Sequence, residues 1–339
     1  MKAAHLVKYG APETAFEIKE IAKPKPESNQ VLIKVEAFGI NFADIMARLG
    51  LYKDAPPLPA ILGYDVIGYI EQIGADVKKL KIGDRVIALT QFGGYAEYAI
   101  SEDNMTNKVS EAISIGAGVA LATQYCTAYF LFYEMANIQE KEKILIHAAA
   151  GGVGTALTQF ALLKNCIIFG TCSSAAKIKY LRKNGVQYPI NYLQEDFAKS
   201  IQGTIGEDGL DAVFDPVGGK SVKKGYKLLA PGGRLLSFGV SSINKAKSIF
   251  GKLKVLAQFG IYHPLQFLSS SKGIIGVNML KVAKERPEKV SKVMREVIQL
   301  TEKKVLQPHV GAEYTIDELA EAHRFLESRK STGKIVVKW

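Results

Sequence analysis

The stretch Lys143–Lys164, KILIHAAAGGVGTALTQFALLK, decides the fold. It passes from an apolar strand signal, KILIHA, through a glycine loop and into a helix. Ala149-x-Gly151-x-x-Gly154 is the dinucleotide fingerprint with alanine in the first glycine position, set between a strand and a helix as the motif requires. Val153, Leu157, Phe160 and Ala161 give an apolar face at i, i+4, i+7 and i+8, which predicts a helix over Val153–Lys164. Glycine lets the backbone approach a pyrophosphate, and the helix N-terminus supplies N–H donors and the positive end of the dipole. The competing reading is a tight turn that uses glycine for packing alone.

The surroundings favour the first reading. Downstream, CIIFGT (Cys166–Thr171), QYPIN (Gln187–Asn191), LDAVFD (Leu210–Asp215), GGRLLSFG (Gly232–Gly239) and GIIGVN (Gly273–Asn278) read as further strands. Helices are predicted over Ala175–Asn184 and after Asp215. Strands alternating with helices of about ten residues mean βαβ units and a parallel sheet. Upstream, the first 110 residues are β-rich, with runs Val31–Ile40, Asp65–Gly74 and Asp84–Leu89 and a helix over Asn41–Leu49. Pro24, Pro26, Pro56, Pro57 and Pro59 mark loops. Helices over Pro287–Lys304 and Ile316–Arg329 precede KIVVKW, a β-branched strand able to return to the first domain.

An absence selects the cofactor. A site for NAD wants Asp or Glu about 20 residues past the glycines, on the ribose 2′-hydroxyl. No acid occurs between Glu142 and Glu195, and the expected position reads Thr171-Cys-Ser-Ser-Ala-Ala-Lys177. Ser173 and Ser174 can donate to a 2′-phosphate and Lys177 can pair with it, which points to NADP(H).

The 339 residues are 47% hydrophobic and 23% charged, enough for two cores, which excludes a disordered or coiled-coil chain. Cys126, Cys166 and Cys172 form no CxxC pair, so neither a disulfide framework nor a four-cysteine zinc lobe is expected. With a short, interrupted N-terminal apolar run, this points to the cytoplasm. Ala112–Tyr133 carries no charge over 22 positions, and its polar and glycine residues predict a buried helix pair at a domain junction rather than a span. The formal charge of +11 is local: Pro216–Lys284 holds 12 Lys or Arg and no acid, so the other 270 residues sum to −1. That argues against a chain that coats nucleic acid, for which no dedicated motif is present. It favours a local field beside the cofactor.

Several motifs together resemble the zinc-independent quinone oxidoreductases of the medium-chain dehydrogenase/reductase superfamily. They are GINFADIMARLGLY (Gly39–Tyr52), GYDVIGYIEQIG (Gly63–Gly74), GGYAEY (Gly93–Tyr98), HAAAGGVG (His147–Gly154), INY (Ile190–Tyr192), DPVGG (Asp215–Gly219) and PGGRLLSFG (Pro231–Gly239). TAYFLFYEMANI and HPLQFLSSSKGIIGVNM bring the chain nearest to the vesicle amine transport protein homologues. The resemblance implies an α/β protein in which a GroES-like β-rich catalytic domain, 1–121 plus 287–339, holds an inserted Rossmann domain, 122–286. It implies an interdomain active site and a homodimer. By matching motifs, Asn41, Tyr52 and Thr127 border the nicotinamide, and Gly151, Gly152 and Val153 lie at the pyrophosphate. Ser173, Lys177 and Tyr192 surround the 2′-phosphate side, Phe238, Gly239 and Ser241 close over the cofactor, and Lys334 joins from TGKIVV.

Zinc-dependent relatives carry an early catalytic Cys and a GHE motif, where this chain has Asn41 and Gly63-Tyr64-Asp65. Neither Asn nor Tyr is an ordinary zinc ligand, so no catalytic metal is expected. Hydride addition to a quinone or an α,β-unsaturated ketone delocalises charge within the acceptor and needs only orientation and a hydrogen-bond donor. Asn41 and Tyr52 are the candidate donors, with Tyr64 behind them. A competing class is an NADPH-binding protein of low turnover at a membrane surface. It rests on 242–271, where Lys245, Lys247, Lys252 and Lys254 precede an uncharged, aromatic run.

Overall fold

The glycine-loop stretch lies at the centre of a six-stranded sheet. The computed structural model describes residues 1–245 and 249–339. The strands of this unit are β1 (Lys143–Ile146), β2 (Ile167–Cys172), β3 (Tyr188–Asn191), β4 (Leu210–Asp215), β5 (Leu229–Ser237) and β6 (Gly273–Gly276). They bond in the order 3-2-1-4-5-6, every neighbouring pair parallel. The order reverses between β1 and β4, the switch point where such sheets bind ligands beyond their carboxyl ends. Crossovers run through α1 (Gly152–Leu163), α2 (Ala175–Lys183), α3 (Phe197–Ile205) and α4 (Lys220–Leu228). The helix α3 escapes the periodicity, because only Phe197 and Ile201 are buried on it. Leu145, Phe169, Ile190, Val213 and Leu235 form the centre of the core, each contributing ~1.5–3 kcal/mol by burial.

Two further helices, Ile249–Ala257 and Pro264–Ser270, occupy the Lys-rich segment, of which Lys247 lies outside the described residues. Phe259, Tyr262 and Phe267 pack on the α/β core, whereas Leu253, Leu256, Ile261, Leu265 and Leu268 are exposed.

This unit is Thr127–Met279; the other comprises Met1–Cys126 with Leu280–Trp339. The second unit is β-rich, as GroES-like domains are. Its seven-stranded sheet is built around the long strand Gln30–Ile40, which pairs antiparallel with Asp65–Ile73 and with Lys334–Lys338. The last strand therefore does return, with Ile335 opposite Ile40 and Val336 opposite Gly39. Phe38 stacks on Tyr95 at 4.4 Å in the centre of this core.

The uncharged stretch departs from expectation. Instead of a helix pair it forms one helical run, Ile115–Met135, with wide π turns at Leu121–Tyr125 and Phe130–Met135. Gly116 and Gly118 do not break it; they leave room for the Val310 and Ile67 side chains. The run is long and apolar enough to cross a membrane, but 78% of its most apolar window is buried within the protein.

Candidate functional site

In the α/β unit, the loops at the carboxyl ends of the strands are tied to one another. His147 and Ala148 follow β1, and Ala148 adopts a left-handed φ of +51°. The Thr171 hydroxyl accepts from the Ala148 amide at 3.3 Å and bonds His147 Nδ1 at 3.0 Å, joining the glycine loop to β2. His147 is buried edge-on to Phe197, and burial lowers its pKa, so it stays neutral. Gly151 is the N-cap of α1 and offers no side chain. The amides of Gly152, Val153 and Gly154 therefore precede any intrahelical carbonyl and open toward the loop. A Cβ on Gly154 would stand 2.6 Å from the Ala148 carbonyl oxygen and from Ala149 Cα, so glycine is required for α1 to seat against β1. Gly154→Ala is expected to lower stability by about 1–3 kcal/mol through this backbone overlap. Urea unfolding measures it, and an unchanged midpoint would show that the turn relaxes freely.

Ser173, Lys177 and Tyr192 are half-buried beyond the ends of β2 and β3. Ser174 caps α2, its oxygen accepting from the Lys177 amide at 3.2 Å, while its own proton is left to donate. On the other side of the switch point, Asp215 Oδ1 accepts from Val217 and Gly218 amides at 2.6 and 2.9 Å. Phe238 donates to the Asp215 carbonyl at 3.0 Å and Ser241 to that of Pro216 at 3.1 Å. A Cβ on Gly239 would lie 2.7 Å from the Pro216 oxygen. Phe238, Gly239 and Ser241 thus sit on a loop locked to the one after β4. Thr127 is buried on the helical run.

In the β-rich unit, Asn41 caps the helix Phe42–Arg48 with a reciprocal box to Asp44. Its Nδ2 donates to Asp65 Oδ1 at 3.0 Å, and its Oδ1 accepts from Lys334 Nζ at 2.9 Å. Lys334 also forms an ion pair with Asp65, and both side chains are 0% exposed. Gly39 has no room for a Cβ because the end of Lys334 fills that space. Asp44 accepts from the Asn41 amide at 2.7 Å and the Gly63 amide at 3.2 Å. Burial pushes the Asp44 carboxyl up to about 7, and the Asp65 charge adds to the rise. Tyr52 is half-buried, with its ring edge-on to Tyr64 at 6.3 Å; Tyr64 packs on Phe92 at 5.0 Å. Burial raises both phenols, so each remains a protonated donor at neutral pH.

The structure therefore joins Asn41 and Lys334 directly and leaves Tyr52 in a neighbouring aromatic group. It places Gly151, Gly152, Val153, Ser173, Lys177, Tyr192, Phe238, Gly239 and Ser241 on the loops and first helical turns that follow the carboxyl ends of the strands. Asp44, Asp65, Thr171 and Asp215 were not among the residues singled out for the site. Asp44 was legible as the third residue after an N-cap Asn. The other three stand inside quoted motifs, but no local pattern announces the contacts they make.

Two family models match, an alcohol dehydrogenase GroES-like domain over residues 27–129 and a zinc-binding dehydrogenase over residues 184–337. A synaptic vesicle membrane protein VAT-1 homolog of Danio rerio is 32% identical over 340 residues, covering 99% of this chain and 69% of that protein. A quinone oxidoreductase of Rattus norvegicus is 31% identical over 339 residues, covering 99% and 97%. The crystal structure of Escherichia coli quinone oxidoreductase complexed with NADPH superposes with a TM-score of 0.88 at 27% identity, over 100% of both chains. With these matches over a 3-2-1-4-5-6 sheet and a GroES-like unit, the chain belongs to the quinone oxidoreductase and VAT-1 family of the medium-chain dehydrogenase/reductase superfamily.

Proposed function

We propose that this protein is an NADPH-dependent reductase that transfers hydride to a quinone or an α,β-unsaturated ketone without zinc. The observation that carries the reading is the open N-terminus of α1 beside the acid-free turn from β2 into α2, with Ser173 in the turn and Lys177 in the first turn of α2. The amides of Gly152 and Val153 suit a pyrophosphate, and Lys177 with the Ser173 and Ser174 hydroxyls suits a 2′-phosphate. The relatives named quinone oxidoreductase, one of them solved with NADPH, support it. Bound NADPH supplies the hydride, and the acceptor oxygen takes up a proton.

The residues that would hold a zinc ion do not fit one. Asn41 offers an amide, Tyr64 a phenol, and the Asp65 carboxylate is already neutralised by Lys334. Among the described residues no three His, Cys, Asp or Glu side chains converge. The remaining task is orientation and hydrogen bonding. Asn41 Nδ2 carries two protons, one of which Asp65 takes, and the second is the donor we assign to the acceptor oxygen. Lys334 fixes which way the amide faces, because an ammonium on Oδ1 rules out the flipped rotamer. Tyr52 is the second candidate donor.

NADPH consumption measured against a panel of quinones and enones, with NADH as control, tests the activity. Lys177→Ala is expected to weaken NADPH binding roughly 10–100-fold and leave NADH within about twofold, from a lost charge-assisted contact of ~1.5–3 kcal/mol. Equal losses for both cofactors would overturn the 2′-phosphate assignment.

The exposed Leu253, Leu256, Ile261, Leu265 and Leu268 favour a second reading, peripheral contact of 242–271 with an anionic membrane. Flotation with anionic vesicles beside the turnover assay separates the two: binding with little turnover supports this one, and turnover without flotation removes it.

A further inference from the structure

We propose that the α/β unit carries a second ligand site, for a small organic phosphate monoester, at the sheet edge opposite the dinucleotide loops. A cavity of about 330 Å³ lies there, at the small end of the ~300–1,000 Å³ range of ligand pockets. Lys223, Tyr226 and Lys227 enter it from one face of α4, spaced i, i+3, i+4. Tyr262 comes from the link between the helices Ile249–Ala257 and Pro264–Ser270, Gln266 from the second of these, and Lys272 from the residue before β6.

Topology separates this cavity from the cofactor loops. In a parallel sheet each helix carries the chain from the carboxyl edge back to the amino edge. Lys227 is in the last turn of α4 and Lys272 directly precedes β6, so both are at the amino edge. Strand β6 alone puts ~13 Å between the two edges, at ~3.3 Å per residue. The dinucleotide loops therefore do not account for these lysines.

Charge argues for an anion. Lys224, on another face of α4, pairs with Asp196. Lys223, Lys227 and Lys272 have no ion-pair partner among the described residues. No acid occurs anywhere from Pro216 to Lys284, so the segments lining the cavity supply no carboxylate. Three ammonium groups around one concave, aromatic-walled mouth repel one another, and low-dielectric walls focus that field. A compact dianion relieves the repulsion better than a monoanion, and lysine binds phosphate as a point charge. The walls are preformed: Tyr226 and Tyr262 meet edge-on at 5.2 Å, and the Tyr226 hydroxyl is held by Ser270 at 3.1 Å. They offer apolar faces to a small planar or aliphatic body attached to the phosphate, and the Gln266 amide offers a neutral donor.

The same chemistry could reach the site as a free phosphorylated metabolite or as the headgroup of a phosphorylated lipid. Calorimetry on the NADPH-saturated full chain, with phenyl phosphate as the probe, tests the first source. Co-sedimentation with phosphatidylcholine vesicles containing or lacking phosphatidic acid tests the second. Saturable phenyl phosphate binding, weakened at least tenfold in Lys223→Gln/Lys227→Gln/Lys272→Gln while NADPH affinity holds within twofold, establishes a metabolite site. Phosphatidic-acid-dependent sedimentation lost in the same variant, without phenyl phosphate binding, establishes the lipid source. Absence of both responses in the parent, or responses undiminished in the triple variant, overturns the proposal. The site does not rest on the hydride-transfer reading, and turnover with quinones can fail while this binding stands.

Discussion

Lys334→Met is expected to destabilise the chain by about 3–5 kcal/mol, the usual consequence of removing one partner of a fully buried ion pair. Asp65 would keep a charge at 0% exposure with no cation beside it, and Asn41 Oδ1 would lose its donor. Solvent screening does not soften the loss, because neither side chain reaches water. Asp65→Asn should cost a similar amount by stranding the ammonium. The informative measurement is the double-mutant cycle in urea. Lys334→Met/Asp65→Asn should recover at least about 2 kcal/mol of the summed single losses, since contacting residues couple by ~0.5–3 kcal/mol. Strict additivity would mean that the two side chains act independently, and the pair would then have no part in orienting Asn41. Lys334→Arg is expected to fail as a rescue. The lysine tip already fills the space beside Gly39 and touches Asn41 and Asp65, and a guanidinium is wider than an ammonium.

How this cluster arises explains why it was hard to read. The strands and helices around Gly151 were legible because each repeats a local period: apolar runs of four to six residues, then an i, i+4, i+7 face, then glycine. The N-cap role of Asn41 was nearly legible, because Asn with Asp three residues on is a local signature. Lys334 and Asp65, in contrast, are 269 residues apart. They meet because Ile335 registers against Ile40 and Val336 against Gly39, which brings the next residue, Lys334, beside Asn41. KIVVKW announces a strand, but nothing in it announces that register. The TGKIVV motif names Lys334 as a site residue without naming its neighbours; in the structure its ammonium meets Asn41 and Asp65.

The basic segment shows the opposite imbalance. Its composition is plain in the chain, and a field beside the cofactor was a natural reading of it. The parallel crossover divides that charge instead. Lys220 opens α4 at the carboxyl edge of the sheet, while Lys227 closes it at the amino edge and Lys272 precedes β6 there. Net charge says how much field exists, and only the direction of each helix says where it points. The π turns in Ile115–Met135 were likewise out of reach. The apolar period fits an ordinary α-helix as well as it fits the wide turns at Leu121–Tyr125 and Phe130–Met135, so it does not mark them.

Between pH 4 and pH 8 the protein is expected to lose stability on the order of 4 kcal/mol through Asp44 alone. The cause is burial, which raises its carboxyl from the ordinary 3.8 to about 7. The folded chain then holds this proton more tightly than the unfolded chain. In the window from 3.8 to about 7 the unfolded state binds fewer protons, so stability falls as pH rises. The contribution is complete below the lower value and gone above the upper one. Paired carboxylates such as Asp84 and Asp196 have lowered values and act in the opposite sense, losing stability only as pH falls below the ordinary range. They are common to parent and variant and drop out of a difference. Urea unfolding of the parent and of Asp44→Asn at steps from pH 4 to 8 gives that difference directly. An asparagine side chain in this place has a single acceptor oxygen for the two amide protons that the Asp44 carboxyl takes on separate oxygens, so the variant starts with a constant deficit. What matters is the slope: the gap between the two curves should close by several kcal/mol as pH rises, and above pH 7 the variant should equal or exceed the parent. A gap that stays constant across the range would show that the Asp44 carboxyl does not titrate there.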